Sequence, residues 1–123
     1  MQDYRKLVVW QRAHQFVLAL YAVTRAFPEE ERYGLTSQTR RAALSIPANI
    51  AEGCGRETAA DFRRFLYVAM GSAREVDYYL LLARDLGLVD EALGNRLMND
   101  LDEIQRMLKT LINRLSESQG GSH

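Results

Sequence analysis

Fourteen of the sixteen basic residues in this chain are arginines, and five of them, Arg40, Arg41, Arg56, Arg63 and Arg64, fall between positions 40 and 64. A guanidinium offers a planar fork of donors that fits the oxygens of a phosphate or a carboxylate. Arginines gathered in one region are therefore the strongest chemical signal in the sequence, and the chemistry they would do is phosphate contact with RNA or DNA. The competing reading is that they are solvated, or paired with carboxylates of their own helix. Sixteen acidic residues balance the sixteen basic ones. No global field then pulls the protein toward nucleic acid or an anionic membrane, so any such contact must come from a local cluster. Residues 1–56 carry eight basic and five acidic side chains, and the remainder eight and eleven.

Signals for catalysis are weaker. His14 is the only histidine outside the carboxyl-terminal tail, and without a second His or Cys it anchors no metal. Cys54 sits between Gly53 and Gly55 at a helix end, where the dipole disfavours a thiolate. Gly53-Cys54-Gly55 lacks the preceding strand, third glycine and lysine of a phosphate-binding loop. The carboxylates Glu75, Asp77, Asp100, Asp102 and Glu103 lack the Glu-x-x-His pairs of a di-iron bundle, and they read as solvated faces with helical pairs such as Arg74 with Asp77 and Glu103 with Arg106. The sequence accordingly predicts no catalytic residue, no metal, no cofactor and no small-molecule substrate.

The elements that must position these residues are helices. Trp10, Ala13, Val17, Leu20, Thr24 and Phe27 step three and four residues apart, predicting a first helix from about Val8 to Ala26 that Phe27-Pro28 ends. Leu35, Thr39, Ala42, Ala43, Ile46 and Ile50 predict a second, capped by Thr36 or Ser37, running to about Glu52 and closed by left-handed geometry at Gly53 and Gly55. Thr58 and Asp61 form a capping box, after which Phe65, Ala69, Ala73, Val76, Leu80 and Ala83 carry a third helix to Leu86, closed by Gly87. Leu97, Leu101, Ile104, Leu108, Leu111 and Leu115 form the fourth. Short connections make the expected fold all-α, an antiparallel up-down-up-down four-helix bundle over residues 1–115. Residues 116–123 read as a flexible tail or linker. With one cysteine, no signal-peptide pattern and no membrane span, the expected location is cytoplasmic.

Two features exceed what a plain bundle needs. A second apolar line on helix one, Val9, Phe16 and Val23, widens its buried arc and marks those residues as candidates for an interface between copies. The stretch Ser45-Ile46-Pro47-Ala48-Asn49-Ile50-Ala51-Glu52-Gly53 puts a proline inside a helix, which removes a backbone bond at a cost of about 3 kcal/mol and predicts a kink or a split. Ser45, Pro47, Asn49, Glu52 and Gly53 read as a structural motif in which Asn49 bonds the carbonyl that Pro47 leaves free. Ala42, Ala43, Ala48 and Ala51 on helix two, with Ala69, Gly71, Ser72 and Ala73 on helix three, predict close approach of these two axes.

That stretch, together with Leu7-Val8-Val9-Trp10-Gln11-Arg12-Ala13, Tyr33 to Ala42 and Ala69-Met70-Gly71-Ser72-Ala73-Arg74-Glu75, resembles the 23S rRNA intervening-sequence protein family from about residue 4 to residue 115. The resemblance implies a four-helix bundle that assembles as a homopentamer, has no enzymatic activity and is related to accessory proteins of diversity-generating retroelements. Those relatives are strongly basic and engage nucleic acid and a reverse transcriptase, whereas this chain is neutral. Two functions stay open. One is an oligomeric accessory or adaptor meeting RNA, DNA or a nucleic-acid enzyme at the joint of helices two and three; the other is a protein-binding homo-oligomeric scaffold without nucleic-acid contact.

Overall fold

Helical spacing of the apolar residues gives four helices: α1 (Val8–Thr24), α2 (Leu35–Cys54), α3 (Ala59–Asp85) and α4 (Glu91–Gly121), with 3₁₀ turns at Tyr4–Lys6 and Glu29–Glu31. The structure, a computed structural model, describes residues 3–121, with side-chain surroundings to residue 117. α4 continues past Leu115, where the leucine seam predicts its end, to Gly121; residues 122 and 123 of the expected tail lie outside the described residues. No strand occurs among the described residues.

Contacts between side chains set neighbouring helices antiparallel. Arg40 near the start of α2 bonds Thr24 at the end of α1, Ser45 in mid-α2 meets Ser72 in mid-α3, and Arg84 at the end of α3 bonds Asn95 at the start of α4. Arg12 on α1 pairs with Glu103 near the middle of α4, which closes the ring of four. Each helix packs its backbone against its sequence neighbours and α1 against α4, with no close backbone approach between diagonal helices among the described residues. The interior is filled by Ala13 and Leu20, Ala43, Ile46 and Ile50, Leu66, Ala73, Val76 and Leu80, and Leu101 and Leu108, all fully buried. At about 25 cal/mol per Å², each large aliphatic side chain contributes roughly 2 kcal/mol against the entropy of ordering the chain. A smaller cluster of Phe27, Leu35, Ala83 and Val89 ties the α1–α2 and α3–α4 turns together at one end.

Several local expectations change. α2 is capped by neither Thr36 nor Ser37: Gly34 is its first flanking residue, and the Leu35 amide donates to Glu31 Oε1 at 3.2 Å. Gly53 and Gly55 are not left-handed; Gly87, at φ 76°, is the only glycine with positive φ among the described residues. There the Leu88 amide bonds Ala83 O and the Gly87 amide bonds Arg84 O, a paired closure of α3 that only glycine adopts without strain. Gly53 is needed for space. A Cβ on it would stand 2.8 Å from Phe62 Cδ1 and 3.0 Å from Phe65 Cβ, so α2 and α3 approach closely here. Ala48 and Gly71, expected at the same contact, face solvent.

The seams drift as well. On α4 the buried residue is Ile112, with Leu111 and Leu115 half-buried, and on α3 it is Leu66 rather than Phe65. A 3.6-residue helix slides about 20° per heptad off a 3.5-residue repeat, so a seam counted in heptads leaves the core after a few turns.

Pro47 lies inside an unbroken α2, so of the expected kink or split the split does not occur. Asn49 Nδ2 donates to Ser45 O and to Ser45 Oγ, both at 2.8 Å, and Ser72 Oγ donates to Ser45 Oγ at 2.8 Å. Asn49 thus bonds its own preceding turn, not the Ala43 carbonyl that the proline deprives of its amide. This polar bridge joins α2 to α3 in one register, because sliding either helix would leave a half-buried hydroxyl without its partner.

Candidate nucleic-acid interface

Building from the arginines, the structure divides the five expected residues into two sets at opposite ends of α2, roughly 20 Å apart along a helix of 1.5 Å rise. At the α2–α3 joint, Arg56 pairs with Glu52 at 3.1 Å and Arg64 with Asp61 at 3.7 Å. Both guanidiniums also lie over the Phe65 ring, 4.6 and 4.7 Å from its centroid. Arg63 stands beside them, half-buried and with a partner of its own. The cationic character of the joint is largely cancelled by neighbouring carboxylates, and the expected clustering of all five arginines around the joint of helices two and three is corrected, since Arg40 and Arg41 lie toward the other end of α2.

The other end of α2 differs. Arg40 donates from Nε to Thr24 Oγ1 at 2.8 Å and from Nη2 to Tyr21 O at 3.4 Å, with its guanidinium 4.4 Å from the Tyr21 ring centroid. Thr24 Oγ1 donates its own hydrogen bond to Leu20 O at 2.8 Å, which fixes the hydroxyl that fixes Arg40. Arg41 donates to Gln38 Oε1 at 2.7 Å, and Arg32 lies 5.6 Å from the Tyr33 ring. Arg25, Arg32, Arg40 and Arg41 make no ion pair with any carboxylate among the described residues.

These residues line two open grooves that meet across the first turn of α2. One, of about 490 Å³, is walled by Tyr21, Arg32, Tyr33, Arg40, Arg41 and Leu44; the other, of about 320 Å³, by Arg25, Phe27, Pro28, Glu29, Arg32 and Arg40. Thr36 lines both. It is only 8% exposed, and its Oγ1 is buried without a hydrogen-bond partner. The groove's geometry follows from the small core cluster beneath it, where Phe27 and Leu35 anchor the two ends of the turn that carries Arg32 and Tyr33.

Arg25, Arg32, Tyr33 and Thr36 were not among the expected site residues. The run Glu29-Glu30-Glu31 makes the turn read as acidic, yet Glu31 spends an oxygen on the Leu35 amide. An Arg-Tyr pair in a turn between two helices was the available signal.

The interface candidates on α1 are also relocated. Val9 and Phe16 are 5% and 3% exposed within a single chain, and Val23 is half-buried. A bundle helix has two neighbours, so its buried arc is double: Val9 lies beside Met107 and Leu111, and Phe16 beside Ile104, all on α4. Apolar surface left bare by one chain lies elsewhere, at Val8, Leu18, Leu44, Tyr67, Val68 and Tyr78.

Of the groups weighed for catalysis, Cys54 is buried. Burial, reinforced by the Asp3 carboxylate, pushes the Cys54 thiol up from its ordinary value, so the helix dipole is not the leading cause. His14 is exposed and stacked flat on Trp10 at 5.0 Å. Glu103 pairs with Arg12 across the bundle and Arg106 with Asp102 at 2.6 Å, in place of the expected Glu103–Arg106 pair, and no Arg74–Asp77 pair forms. Among the described residues no three His, Cys, Asp or Glu side chains group so as to hold a metal ion, and no helix is long and apolar enough to cross a membrane.

Comparison with known proteins agrees with this architecture. The model of a family described as 23S rRNA-intervening sequence protein matches residues 5–110. A crystal structure at 1.70 Å of a protein with unknown function from the S23 ribosomal protein family of Bacteroides thetaiotaomicron VPI-5482 superposes with a TM-score of 0.80, at 26% identity over 85% of this chain and 98% of that one. No curated protein matches the chain.

Proposed function

We propose, from the premise that this chain belongs to the 23S rRNA-intervening sequence protein family, that it is a non-enzymatic, self-assembling adaptor that associates with RNA or DNA through the amino end of α2. The observation that carries this reading is the set Arg25, Arg32, Arg40 and Arg41, four guanidiniums lining two adjoining grooves with no ion-paired carboxylate among the described residues. At the α2–α3 joint Arg56 and Arg64 are matched by carboxylates at helical spacing, so the contrasting set at the amino end fits an anionic partner. A family described by reference to ribosomal RNA makes nucleic acid the first such partner to test.

The acting unit in this reading is a homo-oligomer, with five copies as the family resemblance implies. Support comes from exposed Leu18 and Leu44, each one helical turn beyond the Arg40–Tyr21 contact on α1 and α2, and from Tyr67, Val68 and Tyr78 on α3. Contiguous exposed apolar side chains commonly mark an association surface. The compartment proposed is the cytoplasm, consistent with one cysteine that has no second cysteine to pair with.

A second reading, a protein-binding scaffold without nucleic-acid contact, draws on the chain's neutrality and the same apolar surface. One experiment separates the two: the mass of the purified protein in solution, before and after nuclease, alongside retention on immobilised RNA and DNA at rising salt. Retention that falls steeply with salt supports the adaptor, because phosphate contacts release counterions. A monodisperse oligomer that holds nothing on either matrix would leave the scaffold.

A further inference from the structure

We infer that the groove at the amino end of α2 is built for single-stranded nucleic acid, with a phosphate over the first turn of α2 and a base stacked on Tyr33. This rests on the nucleic-acid reading above and narrows it to one class of ligand.

The phosphate position follows from three independent features. Arg40 is already oriented by Thr24 and by Tyr21, which occupy Nε and Nη2 and leave Nη1 without a partner among the described residues. A guanidinium fixed in this way loses little freedom when it binds an oxyanion. Arg32 and Arg41 flank it on the walls of the same groove, and the Glu31 carboxylate is turned to the Leu35 amide. The groove floor is the first turn of a 20-residue helix whose flanking residue, Gly34, has no side chain with which to cap it. Glu31 takes the Leu35 amide and its charge offsets the helix dipole there, which leaves the Thr36 and Ser37 amides as the ones without a side-chain acceptor. Beside them the Thr36 hydroxyl is buried with no partner of its own, a cost that a bound oxyanion or its water would remove.

The strand state follows from Tyr33. Tyr33 is 87% exposed, the most exposed of the large hydrophobic residues described, and its ring stands at the groove edge with one cation, Arg32, 5.6 Å from its centroid. A duplex keeps its bases stacked on one another and offers such a ring nothing, whereas an unpaired base offers a π face of matching size. Alternating cations and an exposed aromatic are how proteins hold single strands without reading their sequence.

The test measures binding of a short labelled oligouridylate, the corresponding DNA strand and a duplex of equal length by fluorescence anisotropy. The proteins are the full chain and its Tyr33→Ala, Tyr33→Phe and Arg32→Gln/Arg41→Gln variants, each checked for unchanged thermal melting. The expected result is single-strand binding stronger than duplex binding, an about tenfold loss with Tyr33→Ala and recovery with Tyr33→Phe. The double arginine variant should lower the slope of log K against log salt by about 1.4, two single-strand phosphate contacts. Single-strand binding indifferent to Tyr33→Ala, a duplex bound as well as the strand, or polyglutamate bound as tightly as the oligonucleotide would each overturn this inference while leaving an anion-binding groove. Failure of all the nucleic acids to bind would instead bring down the proposed function itself.

Discussion

The two ends of α2 carry the same kind of residue in opposite circumstances. At the carboxyl end Arg56 and Arg64 each face a carboxylate three or four residues away and share the Phe65 ring. At the amino end Arg40 is oriented by Thr24 and Tyr21, Arg25 and Arg32 arrive from the preceding turn, and no carboxylate closes an ion pair on any of them. Counting arginines therefore says little about where phosphate would bind. What distinguishes the ends is whether the local helix supplies its own counter-charge. Glu52 to Arg56 and Asp61 to Arg64 are spacings at which a helix does so.

The largest expected effect breaks this comparison if it is wrong. Replacing Arg25, Arg32 and Arg41 together with glutamine should weaken RNA binding about 100-fold at low salt, since three phosphate contacts and their counterion release are lost. Arg40 is left in place because it holds α1 to α2. The matching triple at the joint, Arg56, Arg63 and Arg64 to glutamine, should change binding less than about threefold, as exposed ion pairs contribute little and screen one another. Anisotropy titrations of both proteins decide it, and a joint variant that loses the more affinity inverts the assignment.

The joint is distinguished by packing, so its sensitivity should be to volume. Gly53→Ala places a Cβ against Phe62 and Phe65 and should lower stability by about 1–3 kcal/mol. At Gly71 a Cβ meets nothing within 4 Å, and Gly71→Ala should raise stability by about 0.5–1 kcal/mol through the better helix propensity of alanine. Thermal and denaturant unfolding of the two variants should move in opposite directions. Equal shifts would show that the α2–α3 approach is looser than the Gly53 contacts require.

The polar bridge between Ser45, Asn49 and Ser72 sits between the two ends and should respond more mildly. Asn49→Leu removes two hydrogen bonds that it donates to Ser45 and should cost about 1 kcal/mol. If the bridge sets register, the variant should also broaden the oligomer distribution seen in solution mass measurements. Unchanged stability and mass would reduce the bridge to an accident of helix packing.

Much of this architecture is legible in the sequence because it is local. Four apolar lines at helical spacing give four helices, Thr58 three residues before Asp61 gives the cap of α3, and Gly87 gives its close. The pairs at the joint are legible by the same rule, since Glu52 and Asp61 stand at pairing distance from Arg56 and Arg64 in the sequence itself. The groove is not. It depends on Arg25 and Arg32 meeting Arg40 across a turn, and on Glu31 facing a backbone amide, and neither follows from a spacing along one helix. Val9 and Phe16 mislead for a related reason. An apolar line beyond one seam looks like surplus until the second neighbour, α4, is in place to cover it.

The smallest expected effect tests the amino end from within. Thr36 Oγ1 is buried and unpartnered, so the folded protein bears a desolvation cost that the unfolded chain does not. Thr36→Val keeps the β-branched shape and removes the hydroxyl, and it should raise stability by a few tenths to about 1 kcal/mol. Its effect on nucleic-acid binding should have the opposite sign, a loss of about threefold, because the orphaned group is then no longer available to a bound phosphate. A residue that merely packs would move stability alone. Opposite movements of the two measurements are what a polar group held in reserve for a ligand produces, and at the joint, where Arg56 and Arg64 already have partners, no substitution should reproduce them.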